Sequence, residues 1–387
     1  MVVKAGNHKP FGIGCFSFRY TDKPPFALKP ATYLAELKKT LQSLTNVTNL
    51  TITEAPPIMF QNISVEKDDS LPSIRERGGP FPGFLAEQLQ FDLFIPVRYQ
   101  QERVRVIPEH RTHKSEKYRV TVLDAFYIAV TFVEPLEPEP GEVGADSVIV
   151  VREFLANELA AMKNTAIKFE CLGPSPLHAN CVLLGSPNTL HDEVNDPAFD
   201  CAVIPGPYEE LRFRYNTAAF DGIEEAKNAL FHTISEELAV YYYIVQNESA
   251  KITDWSKIDD RVQKIIRLHR RKGPLGWFAR SWSASRAIDE TFVAIAEFEA
   301  KNLAMTNRIR TAQRIHYDGT NSTFFRRFVE NAVADQQSYP VQQMTHLITM
   351  FESRRLKSTE IVAVIFGAVL GFLGGVAGAV LTSILTK

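Results

Sequence analysis

The sequence predicts an α+β N-terminal region with a largely antiparallel sheet, followed by an all-α helical region or stalk and a single C-terminal transmembrane helix. Before residue 220, short segments rich in β-branched and aromatic residues mix with helical patterns without regular alternation, which favours an antiparallel sheet. After residue 220, apolar residues recur at helical spacing. The third observation is a run of 25 residues, 361–385, without a charged side chain. The predicted domains are residues 1–220, with a possible sub-boundary at 134–145, residues 221–357 and residues 358–387.

In the first half, a helix is predicted over residues 31–44, where apolar side chains share one face after Pro30. Val104 and Val106 alternate with Arg103 and Arg105, which predicts a half-exposed strand. Further strands are predicted from their β-branched and aromatic content at residues 48–53, 58–65, 91–99, 117–133, 166–172, 179–184, 200–204 and 210–215. A proline-rich acidic linker at residues 134–144 precedes a helix predicted over residues 146–163.

In the second half, the helical pattern breaks into several segments. Separate helices are predicted at residues 223–245, 258–269, 288–309 and 325–333, and a last helix begins at Pro340 and leads towards the uncharged run.

Composition sets limits on the class of protein. The 387 residues are 45% hydrophobic and 23% charged, which is typical of globular domains and excludes a mostly disordered chain. The net charge of −2 gives no overall preference for nucleic acid. The four cysteines are scattered singly, which fits a reducing compartment better than a disulfide framework. The N-terminus has no apolar run of signal-peptide length.

The uncharged run is the strongest functional signal. As a helix it would be about 37 Å long, enough to cross a hydrocarbon core of about 30 Å. Arg354, Arg355 and Lys357 precede it, so the positive-inside tendency predicts a cytoplasmic body and a single-pass protein in the lipid bilayer. The alternative is a buried core helix.

Small residues in this run predict close helix packing. Glycines four positions apart form a flat stripe on which a second helix can pack, which favours a homo-oligomer. The alternative is that glycine is simply common in membrane helices. The residues assigned to packing are Gly367, Gly371, Gly374, Gly375 and Gly378.

Two clusters of basic residues lie outside this run. The first interleaves cations with aromatic residues, as nucleic-acid or partner contacts do, although a solvated sheet edge is the favoured explanation; its members are Arg103, Arg105, Arg111, Lys114, Lys117 and Arg119. The second is typical of a membrane surface, and a helix hairpin with an aromatic core is the alternative; its members are Arg270, Arg271, Lys272, Trp277, Phe278, Arg280 and Trp282.

Catalytic chemistry finds no support in the local patterns. The sequence has no nucleophile elbow, phosphate-binding loop or dinucleotide fingerprint, so an enzyme is not favoured and no cofactor is assigned. Cys171, His178, Cys181 and His191 have none of the standard zinc-site spacings.

The order of these regions is similar in layout to the CorA-type magnesium channels. That resemblance implies no activity here, because this chain has one predicted span and lacks the family's Gly-Met-Asn tripeptide.

The sequence favours a membrane protein whose cytosolic sensor or regulatory domain self-associates through the glycine stripe to produce a pore, a permeability change or a signal. A tail-anchored scaffold or receptor, and a membrane-anchored enzyme or nucleic-acid binder, are the alternatives. Its ligand, a protein or a small molecule, is unknown.

Overall fold

A computed structural model gives the fold of the chain. The residues that it describes are 8–20, 26–28, 30–54, 63–65, 86–104, 115–125, 128–138, 142–163, 165–171, 177, 179–186, 198–206, 209–270, 273–319, 324–354, 356 and 368. The strands are β1 His8–Gly14, β2 Phe16–Tyr20, β3 Phe26–Leu28, β4 Val47–Glu54, β5 Ile63–Val65, β6 Ala86–Phe94, β7 Lys117–Ala125, β8 Ile128–Pro135, β9 Ile167–Cys171, β10 Asn180–Ser186, β11 Phe199–Ile204 and β12 Glu210–Asn216. The helices are α1 Pro30–Gln42, α2 Val97–Arg103, α3 Gly144–Ala161, α4 Ile223–Arg270, α5 Gly273–Gly319 and α6 Arg326–Ala334, and residues 341–354 are also helical.

Eight strands form one sheet in the order β11-β12-β10-β1-β8-β7-β6-β4. Neighbouring strands in this sheet are antiparallel except for β10 and β12, which are parallel. Two further pairs, β2–β9 and β3–β5, form small two-stranded sheets. The prediction of a mixed α/β first half with a largely antiparallel sheet, and of a mostly helical second half, is confirmed.

One face of the sheet is covered by the first half of α4. Aromatic side chains fill the space between them, and Phe132 of β8 stacks on Phe231 of α4 with ring centroids 3.9 Å apart. Phe11 of β1 lies 5.1 Å from the same Phe231 ring. Since each large aromatic ring removes much apolar surface from water, this cluster is a main source of stability for the sheet–helix contact.

The opposite face is covered by α1 and α3. The first turn of α3 lies directly on β1, where a Cβ atom at Gly144 would come within 2.1 Å of the Phe11 carbonyl oxygen. A Cβ atom at Gly12 would in turn meet the Gly144 carbonyl oxygen at 2.2 Å. Glycine at both positions therefore allows the helix backbone to pack against the strand backbone.

The chain divides into two compact units. Unit 1 comprises Met1–Ala250 with Met305–Gln336, and unit 2 comprises Lys251–Ala304 with Gln337–Lys387. Unit 2 has its own core, in which Trp255, Phe298 and Tyr339 form a ring cluster with centroid distances of 5.2–5.5 Å. The domain bounds predicted from the sequence stay predictions.

Some elements differ from the expected ones. Residues 223–245 and 258–269 belong to one continuous helix, α4. Two of the polar residues that interrupt the apolar pattern between them, Gln246 and Asn247, are buried. Arg103 ends helix α2 and does not lie in a strand. Residues 91–99 likewise divide into the end of β6 and the start of α2.

The membrane prediction is contradicted. Throughout the part of the chain that the structure describes, no helix combines the length and the apolar character needed to cross a bilayer. Helix α4 has 48 residues, but charged side chains recur along it. The uncharged run at residues 361–385, with its five glycines, lies outside the described residues except for Ala368. This finding also contradicts the predicted single-pass placement, the membrane event and the tail-anchored or membrane-anchored alternatives.

Candidate functional site

Strand β4 has more exposed residues than any other described strand of the main sheet. Strand β4 is terminal in the strand order and pairs with β6 on one side. None of the other described strands pairs with its second side. A terminal strand presents backbone N–H and C=O groups that can pair with another chain. This edge is therefore a candidate site for strand addition.

Strand β4 is more exposed than β11, the other terminal strand of the sheet. Five of its eight residues are exposed, and they are Thr48, Asn49, Thr51, Thr53 and Glu54. In β11, at the opposite end of the sheet, every residue is buried or half-buried. That strand is also tied to its neighbour by the ion pair between Asp200 and Arg214. Judged by the described residues of the two end strands, the β4 end is the more exposed.

The composition of β4 lacks two residue types that commonly protect edge strands against strand addition. Natural edge strands often carry lysine or proline, which discourage pairing with other chains. Residues 47–54 contain neither, and Glu54 is their single charged residue. Val47, Thr48, Thr51, Ile52 and Thr53 are β-branched, which suits an extended backbone.

Hydrogen bonds hold the start of β4 in register with β6. The Asn46 side-chain amide donates to the Phe94 carbonyl oxygen at 2.6 Å. The Phe94 backbone N–H donates to the Asn46 carbonyl oxygen at 2.9 Å. Because both groups of Asn46 bind one residue of β6, the position of the edge strand is fixed where it begins.

An irregularity follows at Asn49, where φ is 51° and the register with β6 shifts. Asparagine tolerates this left-handed conformation better than most residues. Its side-chain amide donates to Asp92 Oδ2 at 2.8 Å. The Arg119 guanidinium donates to both Asp92 oxygens at 2.8 and 3.1 Å. The bulge is thus fixed to the sheet, and Thr51–Thr53 continue the regular pairing with β6.

The electrostatics of Asp92 follow from these contacts. Burial acts to raise the pKa of this carboxyl, but the hydrogen bonds from Arg119 and Asn49 outweigh it and hold the pKa below its usual value. The carboxylate is therefore ionised at neutral pH and accepts from both side chains.

The first basic cluster does not form a free cationic patch in the described part of the chain. Arg119 binds Asp92, and Lys117 Nζ lies 2.7 Å from Glu137 Oε1. Arg103 lies apart from them, at the end of α2. Arg105, Arg111 and Lys114 lie outside the described residues. Since a phosphate backbone is bound by available cations, these pairings do not add support for nucleic-acid binding, which stays a prediction.

Arg103 contributes to an open polar cleft of about 460 Å³ between α2 and α3. Glu102, Glu153 and Asn157 line it as well. The rings of Tyr99 on α2 and Phe154 on α3 meet edge to face, 5.2 Å apart. The cleft has charged groups of both signs and is open to solvent, so it selects no particular ligand chemistry.

The second basic cluster is described only in part. Arg270 is exposed at the end of α4, whereas Arg271 and Lys272 lie outside the described residues. Trp277, Phe278, Arg280 and Trp282 fall within α5, but their side chains are outside the described part. Their assignment to a surface role stays a prediction.

Three of the four cysteines are poor nucleophiles. Burial raises the pKa of the Cys15 and Cys181 thiols, and it raises the pKa of Cys201 to about 12. These thiols stay protonated at neutral pH, whereas the thiolate is the reactive form. Within the described ranges, no group of three His, Cys, Asp or Glu side chains could hold a metal ion. His178 and His191 lie outside those ranges.

Comparisons with protein-family models, with curated proteins and with solved structures find no match to this chain. Sequence reasoning identified β4 as a strand but missed its edge position, because strand order depends on long-range pairing. The one feature of the sequence that indicates an unprotected edge is the β-branched run at residues 47–54, which contains no lysine or proline.

Proposed function

We propose that this chain is a protein-interaction protein that binds an extended segment of a partner as an added strand along β4. The observation that carries the proposal is the open outer edge of β4, an eight-residue terminal strand with five exposed residues. Binding by strand addition uses main-chain hydrogen bonds for affinity and alternate side chains for specificity.

The backbone supplies much of the expected affinity. Along a strand, N–H and C=O groups point alternately towards one neighbour and the other, so β4 has outward groups that β6 does not use. Each backbone hydrogen bond to a partner contributes about 1 kcal/mol net. The Asn46, Asn49 and Asp92 contacts hold the strand in place beforehand, so little ordering is required when a partner binds.

The two faces of the sheet beside β4 predict the pattern of the partner strand. On one face, Thr51 and Thr53 lie opposite Gln90 and Gln88 of β6, so the surface presents hydroxyl and amide groups. On the other face, Ile52 packs at the margin of the core under α1. A partner strand should therefore alternate polar with apolar residues.

A peptide-display selection on the purified full-length protein tests the proposal. We expect selected peptides with an alternating polar and apolar pattern, whose binding slows amide hydrogen exchange in residues 47–54. Selected peptides that bind but protect other segments, or a selection on the monomeric protein at low concentration without any binder, would overturn it.

Two matched variants identify the edge in this experiment. Thr51→Lys adds to β4 the charge that natural edge strands use against pairing, and we expect at least tenfold weaker peptide binding. Thr217→Lys is the control, because Thr217 is also exposed and also makes a long side-chain hydrogen bond to a backbone oxygen, 3.3 Å compared with 3.4 Å for Thr51. Equal peptide affinity in both variants would count against binding at β4.

A further inference from the structure

We infer that the strand bound along β4 is β4 of a second copy of this chain, in an antiparallel, two-fold symmetric dimer. This inference rests on the proposed function and names its partner. Pairing of this kind would join two eight-stranded sheets through their terminal strands. Closed two-fold dimers are the commonest homo-oligomers, and each copy uses the same surface patch in them.

The charge pattern of β4 permits pairing with itself. Glu54 is the one charged residue of the strand and lies at its end. In an antiparallel pair the two ends point in opposite directions, so Glu54 of one copy lies towards Val47 of the other. The two carboxylates are then far apart, and like charges do not meet across the pair.

Helix α1 adds complementary charge at the correct end. Only residues 43–46 connect α1 to β4, so the last turns of the helix lie near the start of the strand. Lys38 and Lys39 are exposed there. Glu54 of a second copy would approach this cationic end, and the same contact would occur twice through the two-fold axis.

These lysines are available for that contact. Lys39 lies 3.8 Å from Glu36 within its own helix, but its side chain is 76% exposed. Such an exposed pair contributes little to stability and can exchange for a new partner. Each end of the proposed interface therefore joins one carboxylate with two ammonium groups.

The backbone and side-chain chemistry also fit a self-paired strand. Thr51, Ile52 and Thr53 form the regular part of β4 after the bulge at Asn49. Threonine and β-branched side chains form favourable cross-strand pairs. The alternation of hydroxyl and apolar groups that the partner strand requires is present in β4 itself.

Sedimentation of the full-length protein over a range of concentrations tests the inference. We expect a reversible monomer–dimer equilibrium that Thr51→Lys weakens at least tenfold and that Thr217→Lys leaves unchanged. A protein that stays monomeric, or a dimer that Thr51→Lys does not weaken, would overturn the inference.

A charge exchange tests the orientation. Glu54→Lys alone, and Lys38→Glu with Lys39→Glu, should each weaken the dimer because like charges then meet at both ends. Mixing the two variants should restore association, since both ends of the mixed dimer pair opposite charges. Failure of the mixture to associate more tightly than either variant would contradict the antiparallel arrangement.

The outcomes separate the partner from the site. If the protein is monomeric while selected peptides still protect residues 47–54, the second copy is the wrong partner and the strand-addition site stands. If the protein dimerises but selected peptides protect other segments and Thr51→Lys changes nothing, both proposals fail.

Discussion

The ammonium group of Lys227 lies 3.0 Å from Glu134 Oε2, and each side chain is only 4% exposed. Lys227 also lies 2.5 Å from Glu224, which in turn binds Lys9 of β1. Glu134 sits opposite Arg119 in the β7–β8 ladder, and Arg119 sits opposite Asp92 in the β6–β7 ladder. Alternating charges thus extend across one face of the sheet from the start of α4 to Asp92, which holds the bulge of β4.

Lys227→Met should destabilise unit 1. The substitution removes the cation from a buried carboxylate, and breaking a buried ion pair in this way costs about 3–5 kcal/mol. Chemical denaturation followed by amide hydrogen exchange in the strands of the main sheet measures the change in unit 1. The double variant Lys227→Met with Glu134→Leu should recover much of the loss, because it leaves no unpaired charge. Equal stability of the single variant and the wild type would show that the pair contributes nothing.

Glu237 should make unit 1 less stable as the pH rises. Its buried carboxylate accepts the Phe325 backbone N–H at 2.7 Å, at the start of α6, which has no side-chain cap of its own. Burial raises the pKa of Glu237 from 4.5 to about 7, against the opposing effect of backbone hydrogen bonds from Phe325 and Phe324. Between these values the folded state holds a proton that the unfolded state has lost. The resulting stabilisation is complete below about pH 4.5 and is lost as the pH rises through about 7.

Glu237→Gln provides the comparison, because glutamine can accept the same N–H and does not titrate. The wild type should lose up to about 3 kcal/mol relative to this variant between pH 5 and pH 8. Urea unfolding at both pH values measures the difference. A constant difference between the two proteins would contradict a raised pKa for Glu237.

Gly144→Ala should destabilise the contact between α3 and β1. The new Cβ atom would lie 2.1 Å from the Phe11 carbonyl oxygen, and a backbone atom cannot move aside without shifting the strand. We expect a loss of about 3 kcal/mol, at the upper end of the range for overpacked sites. Gly222→Ala is the control, since its Cβ atom would meet nothing within 4 Å, and its loss should stay below about 1 kcal/mol. Thermal unfolding of both variants decides the matter; similar losses would rule out the steric cause.

Asp92→Ala should loosen the edge strand. The substitution removes the acceptor of Asn49 and the partner of Arg119. Amide exchange in residues 47–50 should become at least tenfold faster, which corresponds to about 1.4 kcal/mol of lost local stability. Exchange in β12, which lies next to the opposite end of the sheet, should change little. Uniform acceleration in both strands would indicate global destabilisation instead.

Local patterns predicted many elements because those elements follow local chemistry. The alternation at residues 210–215 and the helical face at residues 31–44 appear as β12 and α1. The predictions were wrong where tertiary contacts determine the secondary structure. Buried Gln246 and Asn247 continue α4 across an interruption of its apolar pattern, and Arg103 lies in a helix although its neighbours alternate like a strand.

The candidate site was less predictable than the fold. A strand is an edge only in relation to the whole sheet, and the order β7-β6-β4 joins segments that long stretches of chain separate. The Asp92 contact with Asn49 spans 43 residues, and the Glu237 contact with Phe325 spans 88. The local periodicity of apolar residues contains no information about contacts between residues so far apart in the chain. The uncharged run at residues 361–385 is the strongest local pattern, so the sequence favours a membrane function over strand addition.

Hydrogen exchange of the β4 amides, measured with and without a selected peptide, tests the central claim most directly. In the free protein at low concentration, the outward amides of residues 47–54 should exchange rapidly while those bonded to β6 are protected. Saturating peptide should slow the outward amides at least tenfold in the wild type and in Thr217→Lys, but not at the same concentration in Thr51→Lys. Outward amides that are already protected in the free monomer, or that stay fast when the peptide is bound, would contradict strand addition at this edge.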